Sequence, residues 1–96
     1  MNGVRGEVRH TLAGEARRLC LTLGGLAEIE TGLGVEGLAA LADRMRKLSC
    51  SDLLIVLAAL LRGGGEGEAA DRVNTLGINP REAAEAVAKA FAAAAE

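Results

Sequence analysis

Residues 53–65 read LLIVLAALLRGGG, nine consecutive apolar residues followed by one arginine and three glycines. A helix over about 52–62 is apolar on nearly every side, and water tolerates such a helix only when other segments cover it all round. The run is nine residues long, well short of the roughly 20 that a membrane-crossing helix needs. It therefore predicts the most buried element of a globular fold. The glycines after Arg62 stop it and read as a C-cap followed by a flexible joint. No strand pattern precedes them, so they do not form a phosphate-binding loop.

The remaining chain has to supply the cover. Val4, Val8 and Leu12 alternate with polar residues, as do Leu19, Leu21 and Leu23, on either side of a turn-like AGE at 13–15. Period two predicts a β-hairpin with strands at about 4–12 and 16–22. Two strands alone are marginal in water, so the hairpin must lie on the helices. From Thr22, a helix cap, the period becomes helical: Leu26, Ile29 and Leu33 share one side, and Gly32 and Gly34 stop the helix. A second helix follows with Leu38, Leu41 and Met45 inward and Asp43, Arg44, Arg46 and Lys47 outward. Ser49 or Ser51 caps the central helix, and Ser49 with Asp52 has capping-box spacing. A short helix at about 68–76 ends at Gly77, and Asn79, Pro80 and Glu82 open the last one as cap, first helical residue and box. The expected fold is α+β, an N-terminal β-hairpin over about 4–22 followed by a compact bundle of four to five helices over about 23–95, with 1–96 forming a single domain.

Composition narrows the function. Leu, Ala and Val dominate and Phe91 is the one aromatic residue, which leaves no base-stacking platforms. A net charge of -2 argues against a general polyanion binder, whose affinity comes from many Lys and Arg on phosphates. Charge is nevertheless uneven: Arg5, Arg9, Arg17 and Arg18 precede a carboxyl end carrying Glu66, Glu68, Asp71, Glu82, Glu85 and Glu96. Cys20 and Cys50, with one histidine, fall short of a four-ligand zinc site and read as reduced, buried small hydrophobes. The expectation is a cytoplasmic protein with no cofactor, no metal, no nucleic-acid partner and no membrane association.

Motifs that imitate chemistry fail on context. GLGVEG at 32–37 matches G-x-G-x-x-G, but AEIET ahead of it continues a helix, whereas the dinucleotide fingerprint needs a strand there. Gly24-Gly25 does follow a strand, yet lacks the rest of a P-loop and reads as tight packing. His10 could face Cys20 across the hairpin, though no acid is placed to orient it. Glu28 and Glu30, two apart on a helix, do not share a face. The cluster Arg44, Arg46 and Lys47 reads as a solvated face that complements the helix dipole. No catalytic residues are assigned, and the chain is not read as an enzyme.

The order of segments is more informative than any one motif. RGEV at 5–8, LCLTLGGLAEIETGLGVEGLAALADRM at 19–45, LSCSDLLIVLAALLRGGGEG at 48–67 and an Ala-rich closing helix resemble the tail assembly chaperones of gene transfer agents and related tailed phages. Leu33 stands where that family often carries an aromatic residue. The resemblance implies a non-enzymatic tail assembly chaperone that binds the tape-measure protein, keeps it soluble, helps recruit tail-tube protein and then leaves. A helix-binding role needs an apolar face that accepts i, i+3, i+4 anchors. Ala84, Val87, Ala88 and Phe91 on the last helix are the candidates for it, self-association through the same face being a further expectation. The alternatives are a structural component of a phage-like tail and a small helical regulator that binds DNA through the basic hairpin.

Overall fold

The apolar run becomes the hub of the molecule. In the computed structural model, which describes residues 6–95, the order is β1 (Glu7–Leu12), β2 (Glu15–Cys20), α1 (Leu23–Leu33), α2 (Leu38–Met45), α3 (Cys50–Gly63), α4 (Gly67–Asp71), a 3-10 turn (Val73–Thr75) and α5 (Pro80–Ala94). Helix α3 packs against α1, α4, α5 and β2, and its residues Val56 to Leu61 are all buried. Around it gather Leu12 and Leu19 from the hairpin, Ile29 and Leu33 from α1, Ala69 and Ala70 from α4, and Ala83, Ala86, Val87 and Ala90 from α5. The fold is α+β, a hairpin followed by five helices. None of the helices among the described residues is long and apolar enough to cross a membrane.

The hairpin is shorter than its alternation implied, and Val4 and Arg5 lie outside the described residues. The strands pair antiparallel with Val8 opposite Leu19, His10 opposite Arg17 and Leu12 opposite Glu15. Ala13 (φ 53) and Gly14 (φ 85) form the turn, and positive φ at both central residues is the type I′ signature that suits strand twist. Leu23 does not continue the inward row: it begins α1 and is 84% exposed. Cys20 is buried although its neighbour Leu19 is too, because α3 closes over the end of β2.

Glycine has two different roles here. Gly34 (φ 71) ends α1 in the left-handed conformation, as expected of a C-cap. Gly32, expected to stop α1, instead lies within it, and a Cβ there would sit 2.5 Å from Ile55 Cγ2. Its missing side chain lets α1 and α3 close up. The triple glycine is likewise not a joint. A Cβ on Gly63 would collide with the carbonyl oxygen of Cys20, and one on Gly64 with that of Arg18. Backbone of the α3 terminus therefore lies directly against backbone of β2.

The caps follow local sequence closely. Thr22 Oγ1 accepts from the Gly25 N–H at 2.9 Å, Ser49 and Asp52 close a full capping box, and Asn79 Oδ1 accepts from the Glu82 N–H at 2.8 Å. Glu82 does not close the last box, because its carboxylate reaches the N–H of Ala13 at 3.2 Å instead. Helix α2 departs most from expectation. Only Leu41 of its residues is buried, and Leu38, expected inward, is 69% exposed. The expected 68–76 helix is split, with α4 ending at Asp71 and the 3-10 turn following.

Candidate partner interface

A single arginine sets the position of α2. Arg44, expected on a solvated face, donates from Nε to Asp52 Oδ2 and from Nη2 to Asp52 Oδ1, both at 3.0 Å. Its Nη1 also donates to the carbonyl of Leu33 at 3.1 Å, so one side chain ties together the end of α1, the end of α2 and the start of α3. Asp52 is 6% exposed and takes a further bond from the Ser49 N–H at 3.1 Å. The hydrogen bonds from Arg44, then that from the Ser49 backbone, hold its carboxyl below the usual carboxylate range. The same pairing raises the Arg44 guanidinium above its ordinary value.

With α2 held there, an apolar groove of about 400 Å³ opens between α2, α3 and α5. Met45, Leu48 and Leu53 line one side, and Ala84, Val87, Ala88 and Phe91 the other. All four residues singled out on the last helix thus meet in one groove. Val87 is buried in its floor, Phe91 is half-buried, and Ala84 and Ala88 are exposed. The inward face of α5 is the adjacent row, Ala83, Ala86, Val87 and Ala90, which shares Val87 with the groove. Each row repeats every three or four positions, the groove row lying one residue further along the chain, and alanines at the groove edge let another backbone approach closely.

A second, larger apolar depression of about 720 Å³ lies between α1, α3 and the 3-10 turn, over Gly24, Ala27, Thr31 and Leu54. Ion pairs edge it, Arg62 Nη1 with Glu28 at 2.9 Å and Arg62 Nη2 with Asp71 at 3.5 Å. Sequence reasoning missed it because Leu54 belongs to a run apolar on all sides, within which no exposed member can be told apart.

The other candidate chemistry disperses. His10 lies opposite Arg17 rather than Cys20, and its Nε2 stands 3.9 Å from Glu85 Oε1. Burial, aided by Glu7, pushes the Cys20 thiol up, the reverse of an activated thiolate. Cys50 is exposed, correcting its expected burial, because it is the first residue of α3. In GLGVEG the Gly37 N–H is taken by Glu30 Oε2 at 3.1 Å, and Gly34 is a cap. Among the described residues no group of three or more His, Cys, Asp or Glu could hold a metal ion. The basic hairpin is partly neutralised: Arg17 Nη1 lies 3.2 Å from Glu66 Oε1 and Arg18 Nε 3.5 Å from Glu66 Oε2, while the Arg18 backbone N–H donates to the same Oε2 at 3.1 Å. The Arg18 backbone bond, then Arg17, keeps the Glu66 carboxyl low.

The model of the family described as phage tail tube protein, GTA-gp10, matches residues 5–96. The chain belongs to this family. No curated protein and no solved structure matches it. Membership in the phage tail tube protein family supports the expected link to phage and gene-transfer-agent tails, while the description names a tail tube protein and not a chaperone.

Proposed function

We propose that this protein is a non-enzymatic component of a phage-like tail, which binds other tail proteins through the groove between α2, α3 and α5. The observation that carries this reading is the family match over 5–96, described as a phage tail tube protein. The groove gives it a physical basis: an open apolar floor at Val87 and Phe91 with small shoulders at Ala84 and Ala88, the form that receives a helix by its i, i+3, i+4 anchors. The same groove favours a second reading, a tail assembly chaperone that holds the helical tape-measure protein and departs before the particle is complete.

Quantitative mass spectrometry of purified particles separates the two. A tail component is present in fixed stoichiometry with the other tail proteins; a chaperone is found in cell extract with the tape-measure protein and is missing from particles. In either case Ala84→Glu with Ala88→Glu places charge at the groove edge and is expected to reduce tail-protein capture at least about 10-fold with little loss of folding, since both positions are exposed. Undiminished capture by that variant sinks the groove as the interface.

A further inference from the structure

We infer that the free edge of β1 is a self-association site, at which two copies of this chain pair antiparallel with Glu7 of each opposite Arg9 of the other. This surface is separate from the groove, which takes no residue from the hairpin.

The hydrogen-bond pattern settles which backbone groups are available. The Arg18 N–H points away from β1, since it donates to Glu66, and Gly64 lies against the Arg18 carbonyl on that same outer side. The pair Arg9–Arg18 is therefore a wide pair that exchanges no bonds, and so are Glu7–Cys20 and Thr11–Ala16, two residues away on either side. A two-residue turn closed by Leu12 and Glu15 requires the same phase. It follows that Glu7, Arg9 and Thr11 turn their N–H and C=O groups to the outer edge of β1. On β2 the corresponding edge is covered by the glycines and Glu66. On β1, helix α5 packs against the strand and His10 reaches Glu85, but the backbone groups of Glu7, Arg9 and Thr11 have no partner among the described residues. Arg9 and Thr11 are exposed.

An open edge is a template for another strand, and charges on it normally discourage pairing. Here the charges are self-complementary. Outward-facing residues of two antiparallel copies must stand opposite one another to exchange bonds. Centring the pairing on Val8 puts Glu7 opposite Arg9 twice over, whereas centring it on Arg9 sets two arginines face to face. The first register also brings Val8 of both copies together on the apolar side. It relieves a conflict within the monomer as well, because Arg9 lies directly across from Arg18 and like charges in that position repel. The result is a four-stranded sheet ordered β2, β1, then β1 and β2 of the second copy.

Sedimentation velocity over a dilution series of the full chain tests the site. The wild-type protein is expected to show a concentration-dependent dimer. Glu7→Arg alone and Arg9→Glu alone each turn both attractive pairs repulsive and should weaken the dimer about 10-fold. An equimolar mixture of the two variants, and the double variant E7R/R9E, should restore it. Arg9→Pro removes an outward N–H without touching a bond to β2, so it should abolish the dimer while circular dichroism stays unchanged. A wild-type chain that is monomeric at every concentration, or a dimer indifferent to both single charge changes, overturns the proposal.

Discussion

Arg44 and Asp52 carry the consequence of one well-placed ion pair. Asp52 has its carboxyl held low by Arg44 and by Ser49 in the folded chain, and a carboxyl whose folded pKa lies below its unfolded value favours folding wherever it is ionised in both states. That contribution is complete above the unfolded value, about 4, and disappears as pH falls through the lower, folded value. Glu66 acts in the same direction. Thermal denaturation followed from pH 7 down to acid should therefore show the midpoint dropping below about pH 4, with Asp52→Asn less stable at neutral pH and flatter in the acid range. A variant as acid-sensitive as the wild type would remove the pair from the explanation. Half of this arrangement was legible in sequence: Ser49 and Asp52 lie three apart, a spacing that a capping box fixes locally. Arg44 was misread, because the loop that returns it to Asp52 leaves no periodic trace.

At the level of elements, the distinction between local and non-local information recurs. Helix starts at Thr22, Ser49 and Asn79 depend on bonds spanning three residues and were legible. The rotation of α2 depends on what it packs against, and its Leu38 was placed on the wrong side. The triple glycine shows the point most clearly, since as letters it resembles a hinge while its backbone abuts β2. Gly64→Ala should therefore destabilise the fold by about 1–3 kcal/mol through overpacking against backbone that cannot give way. Gly67→Ala, at the first residue of α4 with open space where its Cβ would stand, is the matched control and should stay within about 0.5 kcal/mol. Urea denaturation of the two variants measures the difference; equal costs would mean that the close approach of α3 to β2 is not maintained in solution. The groove was legible in part. Ala84, Val87, Ala88 and Phe91 followed from helical period on α5, while Met45, Leu48 and Leu53 arrive from elements whose placement period alone does not give.

For the molecule as a whole, the core residues of hairpin and helices form one connected cluster around α3. We propose on that basis that 1–96 behaves as a single domain. Circular dichroism at a helical wavelength and hydrogen exchange at the hairpin amides should then report one coincident unfolding transition. Separate midpoints would divide the chain. The family match gives this unit a setting in phage-like tails, and the small side chains of α5 give it a surface suited to close contact.

The bond from Ala13 N–H to Glu82 spans 69 positions in the chain, and β1 rests chiefly on α5. A hairpin of two strands has little stability of its own, and the loop-closure cost of joining distant segments precedes the gain from their contact. β2 can meet α3 earlier, but β1 consequently waits without its helical platform until α5 has been made. Docking of β1 thus follows synthesis of α5, and until then the edge of β1 and the incompletely covered apolar run of α3 are open to whatever else is being assembled nearby.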